Sequence, residues 1–323
     1  MRVLVLHSDV SDTAAPDELD TLVTAKAIAE GVRQSGHYAS QSAFVAEPAA
    51  LKAIVENARA DIVFNLVESV NGDGLQASLV SDMLEELGVR YTGAGTACMA
   101  LTADKVLSKQ ALRAAGLPTA DWAEPPLWEG LAAGRRYVVK SVTEDASLGL
   151  DDGAVVDAAG VPARARQSAE RYGGHWFAEA YLEGREFNVA LLEEEREIRV
   201  LPIPEMRFEA WAKDRPRIVG YAAKWDDASE DSKNTVRAFG VADEEPALAR
   251  KLAELALQTW QLFRMRGYAR IDFRLDADGA PMILEANPNP CLEPNAGFAA
   301  AAAHAGISFA ELVDRIVQTA YRG

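Results

Sequence analysis

Short unbroken apolar runs alternate with longer amphipathic stretches, and that alternation organises the first third of the chain. Residues 3–6 (VLVL) form a continuous apolar run of the kind a buried parallel strand requires. A polar loop over 7–17 follows. Leu19, Leu22, Val23, Ile28 and Val32 then fall near helical spacing, with Gly36 placed to follow the helix end. Residues 38–45 predict a second strand, 48–57 a second helix opening at Pro48, and 62–67 (IVFNLV) a third buried strand. Leu75, Leu79, Met83 and Leu87 mark the next helix, with Gly88 after it. The β-α-β-α-β-α order predicts a doubly wound parallel sheet. No G-x-G-x-x-G follows the first strand, so a dinucleotide fingerprint is absent. The glycines of NGDG at 71–74 fit a plain tight turn, although open α/β sheets place ligands at such strand mouths.

Beyond residue 95 the pattern changes. Thr102 can cap a helix running through Lys105 and Leu112 to Ala115, ended by Gly116 and Pro118. Residues 137–140 (YVVK) read as a strand with a lysine at its end, followed by the loop 143–150 (TEDASLGL). Another strand is expected at 176–182, a turn at Glu183 and Gly184, and a further strand at 187–192. The charged run 193–197 reads as a solvated hairpin tip, with 199–203 as its return strand. The stretch 206–235 is long, irregular and acidic, as lids and binding loops often are. A long helix opens at Pro246 and ends near Gly267; the stretch 298–305 follows the hairpin, with 299–303 helix-prone, and a last helix is capped by Ser308 and Glu311.

The richest chemistry lies in ARIDFRLDADGAPMILEANPN, residues 269–289. Residues 271–275 and 282–286 are strand-like and flank the turn sequence DADG, which predicts a β-hairpin. Folding it brings Asp272 close to opposite Glu285, with cross-strand Cβ atoms about 5 Å apart. Facing carboxylates repel unless a cation bridges them, and two carboxylates with the Asn287 amide make an oxygen ligand set suited to Mg²⁺. A hairpin whose polar face simply meets water has the same spacing. Pro288 keeps Asn287 extended.

Composition narrows the classes. At 323 residues two or three domains are expected, and 49% hydrophobic with 25% charged residues describes an ordinary soluble globular protein. A net charge of −16 disfavours nucleic acid and anionic membrane surfaces as partners, so an anionic ligand needs local lysines and a metal. Cys98 and Cys291 form no spacing motif, and none of the four histidines is paired at zinc-ligand spacing. The absence of a membrane-length apolar run and of signal-peptide features predicts a cytoplasmic enzyme.

Collinear segments carry a resemblance over nearly the full length. They are VFNL at 63–66, YTG at 91–93, Asp104 with Lys105, YVVK at 137–140, Glu179, Glu186, AKW at 223–225, RID at 270–272 and LEAN at 284–287. Together they resemble the ATP-grasp carboxylate–amine ligases, most closely the D-alanine–D-alanine ligases. The resemblance implies an α/β ATP-grasp fold: an N-terminal Rossmann-like domain (1–95), a central ATP-grasp domain (96–183) and a C-terminal catalytic domain (184–323). It implies that Lys105 and Lys140 contact ATP phosphates and that Ser147 and Gly149 belong to the loop covering them. By the same likeness Glu179, Ala180, Tyr181 and Leu182 line the adenine, and Glu186 holds the ribose. Lys224 would reach the γ-phosphate, Arg270 would steady an oxyanion, and Asp272, Glu285 and Asn287 would bind Mg²⁺, with Mn²⁺ as an alternative. The implied partners are small-molecule carboxylate and amine substrates and, as is common in the family, a second copy of the chain.

Departures from the family pattern cluster on the amino-acid side. Glu68 and Ser69 stand where such ligases usually carry His-Gly, Ala296 where a serine is expected, and Cys291 where a glycine follows Asn-x-x-Pro. Glu18 matches the glutamate that holds the first substrate's ammonium. The expected activity is therefore ADP-forming ligation through an acyl phosphate with an altered acceptor pocket. The competing readings are a genuine D-alanine–D-alanine ligase and a non-catalytic ATP-binding homologue.

Overall fold

A computed structural model describes residues 1–11, 14, 16–144, 147–195, 197–226 and 228–322, with the backbone alone at 16–18. The first unit comprises β1 (Arg2–His7), α1 (Pro16–Gln34), β2 (Tyr38–Ala43), α2 (Pro48–Ala58), β3 (Ile62–Leu66) and α3 (Ala77–Glu86). Its strands are all parallel, as the β-α alternation predicts, and lie in the order β2-β1-β3. Every residue of β3 is buried.

Two helices follow where one is expected: α4 (Thr96–Ala103) and α5 (Lys105–Ala114). The break falls at Asp104, whose carboxylate accepts from the Val106 and Leu107 amides at 2.8 and 2.9 Å. Thr102 is no cap; its hydroxyl donates back to the Cys98 carbonyl at 2.9 Å. A carboxylate accepting two orphan amides is the stronger helix start.

The second sheet holds β4 (Trp122–Ala123), β5 (Arg136–Ser141), β6 (Val155–Asp157) and, beyond α6 (Val161–Tyr172), β7 (Trp176–Ala180), in the order β4-β7-β5-β6. The third sheet begins with β8 (Glu186–Glu194), β9 (Glu197–Val200) and β10 (Pro204–Phe208). The stretch expected to be irregular is in fact punctuated by α7 (Tyr221–Trp225), α8 (Glu230–Asn234) and β11 (Thr235–Phe239). After α9 (Val241–Glu244) and α10 (Pro246–Phe263), the hairpin strands β12 (Tyr268–Leu275) and β13 (Pro281–Asn287) complete that sheet. Its order is β11-β10-β8-β12-β13, with β9 paired to β8.

The chain ends in α11 (Gly297–His304) and α12 (Phe309–Arg322). The last helix crosses back to the first unit: Leu312, Val313, Ile316 and Val317 share one core with Val3, Val5, Ile28 and Phe64. Gly31 of α1 permits the approach, since a Cβ there would lie 3.0 Å from Val313 Cγ2.

Candidate active site

The β12–β13 hairpin pairs Asp272 with Glu285 and Arg270 with Asn287, as strand alternation predicts. The register slips after Asp272, where Phe273 pairs with Ile283 and Leu284 becomes the extra residue. Such a bulge re-aims neighbouring side chains. Arg270 forks onto Asp272, Nε to Oδ1 and Nη2 to Oδ2, both at 2.8 Å. Asn188 of β8, which faces Asp272, donates to the same Oδ1 at 2.8 Å. Burial works against the Arg270 charge, but Asp272 and Glu285 outweigh it and hold the guanidinium above its ordinary value.

Among the described residues no group of three or more His, Cys, Asp or Glu side chains could hold a metal ion. A cation here would draw on two opposed carboxylates, the Asn287 amide oxygen and ligands from outside the protein. That is the partial, oxygen-only set that suits Mg²⁺. Each Asp272 oxygen already accepts from Arg270 or Asn188, yet a carboxylate oxygen keeps a further lone pair. The residues fit.

Lysines converge on the same place. Lys105, Lys140, Ser147, Lys224, Arg270, Glu285 and Asn287 together line one small cavity of about 90 Å³. It opens on a cleft of about 1940 Å³ whose walls include Gly149, Glu179, Ala180, Tyr181, Leu182, Glu186, Asp272 and Cys291. Lys105 donates to the Glu144 carbonyl at 3.0 Å. Lys140 meets Glu179 Oε1 at 2.9 Å, and Lys109 of α5 meets Oε2. Burial alone would raise the Glu179 carboxyl, yet Lys109 and Lys140 outweigh it and hold it below the usual range. Glu186 goes the other way: burial and the nearby Asp272 push it up, against the pull of Arg274 at 3.7 Å.

The turn between those two glutamates requires Gly184, where a Cβ would lie 2.2 Å from the Leu275 carbonyl oxygen. The loop expected to cover phosphates packs under the segment that precedes α7. Ser147, itself at φ 65°, donates from Oγ to the Val219 carbonyl at 2.9 Å, and the Tyr221 amide donates to Leu150 at 3.1 Å. Gly149 (φ +69°) is needed because a Cβ there would sit 2.6 Å from Trp176. Arg215 ties both segments, donating from Nε to Asp152 at 2.8 Å and from Nη1 and Nη2 to Asp231 at 2.6 Å. Its guanidinium lies 4.0 Å from the Trp211 ring centroid.

At the far end of the cleft the Cys291 thiol donates to Asp20 at 3.3 Å. Burial, then Glu68 and Asp20, push that thiol up to about 12. Asp20 is itself raised, by burial and by Glu293, against the thiol's hydrogen bond. Glu68, Arg237, Glu293 and Ala296 line the same end. The Glu18 side chain lies outside the described residues.

Residues 132–318 match the family model for the D-Ala–D-Ala ligase C-terminus, more than half of the chain. The chain belongs to the D-alanine–D-alanine ligase family. An uncharacterised protein, y4sG, of Sinorhizobium fredii is 34% identical over 81% of this chain and 75% of its own length. D-alanine–D-alanine ligases of Synechococcus sp. and Chromohalobacter salexigens are 30% and 32% identical, over 78% and 76% of this chain and 74% of each relative. The fold agrees with that of the Bacillus anthracis D-alanine–D-alanine ligase solved in complex with ATP. That match has a TM-score of 0.76 at 21% identity, covering 100% of this chain and 98% of the other. As a member of this family the chain is an ATP-grasp ligase, an enzyme that forms C–N bonds. No helix among the described residues is long and apolar enough to cross a membrane.

Several residues in and behind the ligase cleft escape sequence reading. Asn188 could have been found, since it follows Glu186 at the strand period on β8 and faces Asp272. Asp20, Lys109 and Arg215 carry no comparable signal, because their partners Cys291, Glu179, Asp152 and Asp231 come together only through the fold.

Proposed function

We propose that the chain is an ATP-dependent, ADP-forming carboxylate–amine ligase that works through an acyl phosphate, with an acceptor pocket altered from that of D-alanine–D-alanine ligases. The observation that carries the reading is the single small cavity lined by Lys105, Lys140, Lys224, Arg270, Glu285 and Asn287. Phosphoryl transfer asks a protein chiefly for positioning and charge neutralisation, and this cavity concentrates cations in a chain of net charge −16.

In this reading ATP lies along the cleft. Ala180, Tyr181 and Leu182 flank the adenine, and Glu179 accepts from its amine. Glu186 accepts from the ribose hydroxyls. Lys105, Lys140 and Lys224 hold the phosphate oxygens beneath the loop carrying Ser147 and Gly149. A magnesium ion held by Asp272, Glu285 and Asn287 supplies further charge neutralisation at the phosphates. The substrate carboxylate takes the γ-phosphoryl group, giving an acyl phosphate and ADP. An amine then attacks the acyl carbon, phosphate leaves, and Arg270 stabilises the oxyanion formed between those events. Cys291, Glu68 and Ala296 depart from the family pattern on the amino-acid side, and this supports a different carboxylate, amine or both.

The test is incubation with ATP, Mg²⁺ and pooled amino acids and amines, with phosphate release followed and products weighed by mass spectrometry. Turnover with partners other than D-alanine is the expected result. Turnover with D-alanine alone would return the chain to the activity named for its curated relatives. Nucleotide binding without turnover under any pool would sink the ligase reading.

A further inference from the structure

Lys109 is a lysine with about 1% of its surface exposed, and the chemistry above does not use it. Its ammonium ion-pairs with Glu179 Oε2, donates to Thr119 Oγ1 at 2.7 Å and lies 3.5 Å from the Ala120 carbonyl. The Thr119 hydroxyl in turn donates a hydrogen bond to the Ile283 carbonyl at 2.8 Å, which anchors the ammonium to β13. Glu179 is 2% exposed, and its other oxygen is held by Lys140 at 2.9 Å. The two lysines are not equivalent. Lys140 lines the cleft and can turn toward a phosphate, whereas Lys109 lies behind the wall and can act only through Glu179.

Burying an ammonium is costly even when it is paired, and burial holds Lys109 below its ordinary value against the pull of Glu179. The carboxylate it grips faces the stretch of cleft lined by Val138, Tyr181 and Leu182. An ionised carboxylate accepts hydrogen bonds and cannot donate them. It suits the exocyclic amine of adenine and repels the carbonyl that hypoxanthine or guanine presents at that position. We propose that Lys109 is a positioning residue: it keeps Glu179 ionised and fixed when Lys140 engages phosphate, and so makes the site select adenine nucleotides. This rests on the reading of the cleft as an ATP site.

Calorimetric titration with the magnesium complexes of ATP and ITP tests it without knowledge of the other substrates. The wild-type protein should favour ATP by about tenfold or more, the range of a hydrogen bond to a charged group. Lys109→Met should weaken ATP about tenfold, leave ITP nearly unchanged and bring the ratio toward one. Lys109→Arg, which keeps the charge, should recover part of the preference. Thr119→Val removes only the ammonium's hydroxyl partner; it should lower the ratio and serves as the test if Lys109→Met does not fold. A wild-type ratio in Lys109→Met, or in Thr119→Val where that is the test, overturns the proposal. Equal wild-type affinity for ATP and ITP overturns the Glu179 contact and the proposal with it. Failure of the wild-type protein to bind either nucleotide overturns instead the reading of the cleft as a nucleotide site.

Discussion

Arg270 and Asp272 stand two residues apart on one face of β12 and are joined by two parallel hydrogen bonds of 2.8 Å. The fork fixes the guanidinium plane, which a lysine could not do. Arg270→Lys should therefore behave nearly as Arg270→Met. Both should lower kcat by about a hundredfold or more, as loss of a fixed oxyanion donor does elsewhere. Nucleotide affinity should change far less, and a kcat within threefold of wild type would remove Arg270 from the chemistry.

Glu285 has a carboxylate for its cross-strand neighbour and a direct view of the cleft. In Glu285→Gln the Mg²⁺ concentration needed for half-maximal nucleotide affinity should rise by about tenfold or more. Titration of nucleotide binding against Mg²⁺ checks this. An unchanged midpoint would show that the hairpin's acids serve something other than a metal.

Arg215 bridges the turn containing Asp152 to α8 through four hydrogen bonds of 2.6–2.9 Å. Arg215→Ala should free these two segments, which line the large cleft through Asp152 and Asp231. Amide exchange around Val219 and Tyr221 should then quicken by about tenfold, and the ATP KM should rise several-fold. Arg215→Lys should not rescue either effect, because a single ammonium cannot serve both carboxylates with the same geometry.

Arg185 forks onto Glu205 with two contacts of 2.9 Å immediately before Glu186, and it holds the Glu205 carboxyl below its ordinary value despite burial. In the unfolded chain Glu205 takes up its proton near 4.5, at higher pH than in the folded protein. Its contribution to stability is therefore fully present above that value and is lost as the pH falls through the lower, folded one. Glu205→Gln should flatten the acid limb of stability against pH. Thermal unfolding followed between about pH 3 and pH 6 measures it, and parallel limbs would refute the pairing.

Cys291 is a thiol and not a thiolate. With its pKa pushed up to about 12 by burial and by neighbouring acids, it stays protonated through the neutral range. Alkylation by iodoacetamide should therefore be far slower than that of a free cysteine peptide, as read by mass spectrometry. Rapid labelling would mean that Asp20 does not hold the proton-bearing sulfur as described.

The hairpin could be read from sequence because each cue there is local: alternation over two short runs, a DADG turn, and a proline after Asn287. The alternation of strand and helix in the first unit was equally open, since β1 and β3 write themselves as unbroken apolar runs, while β2, a polar and largely exposed strand, was marked only by its place between two helices. Other parts were hidden for physical reasons. α6 buries only Val161, Ala165 and Ser168 and so lacks a large apolar stripe. Thr102 and Asp104 are both plausible caps, and only the geometry of the Val106 and Leu107 amides decides between them. In the 206–235 stretch, α7 and α8 have five residues each, too short for a helical period to be read. Lys109 lies on a helix where a lysine ordinarily reads as solvent-facing, and its burial is imposed by a glutamate on a distant strand.

The return of α12 onto α1 has a biosynthetic consequence. A ribosome releases the first sheet long before Leu312, Ile316 and Val317 exist to cover its core, so the amino-terminal third must wait, partly uncovered, for residues made more than two hundred positions later. A stop codon placed just upstream of Phe309 would leave every cleft residue discussed here in the chain, yet should deliver a protein prone to aggregate.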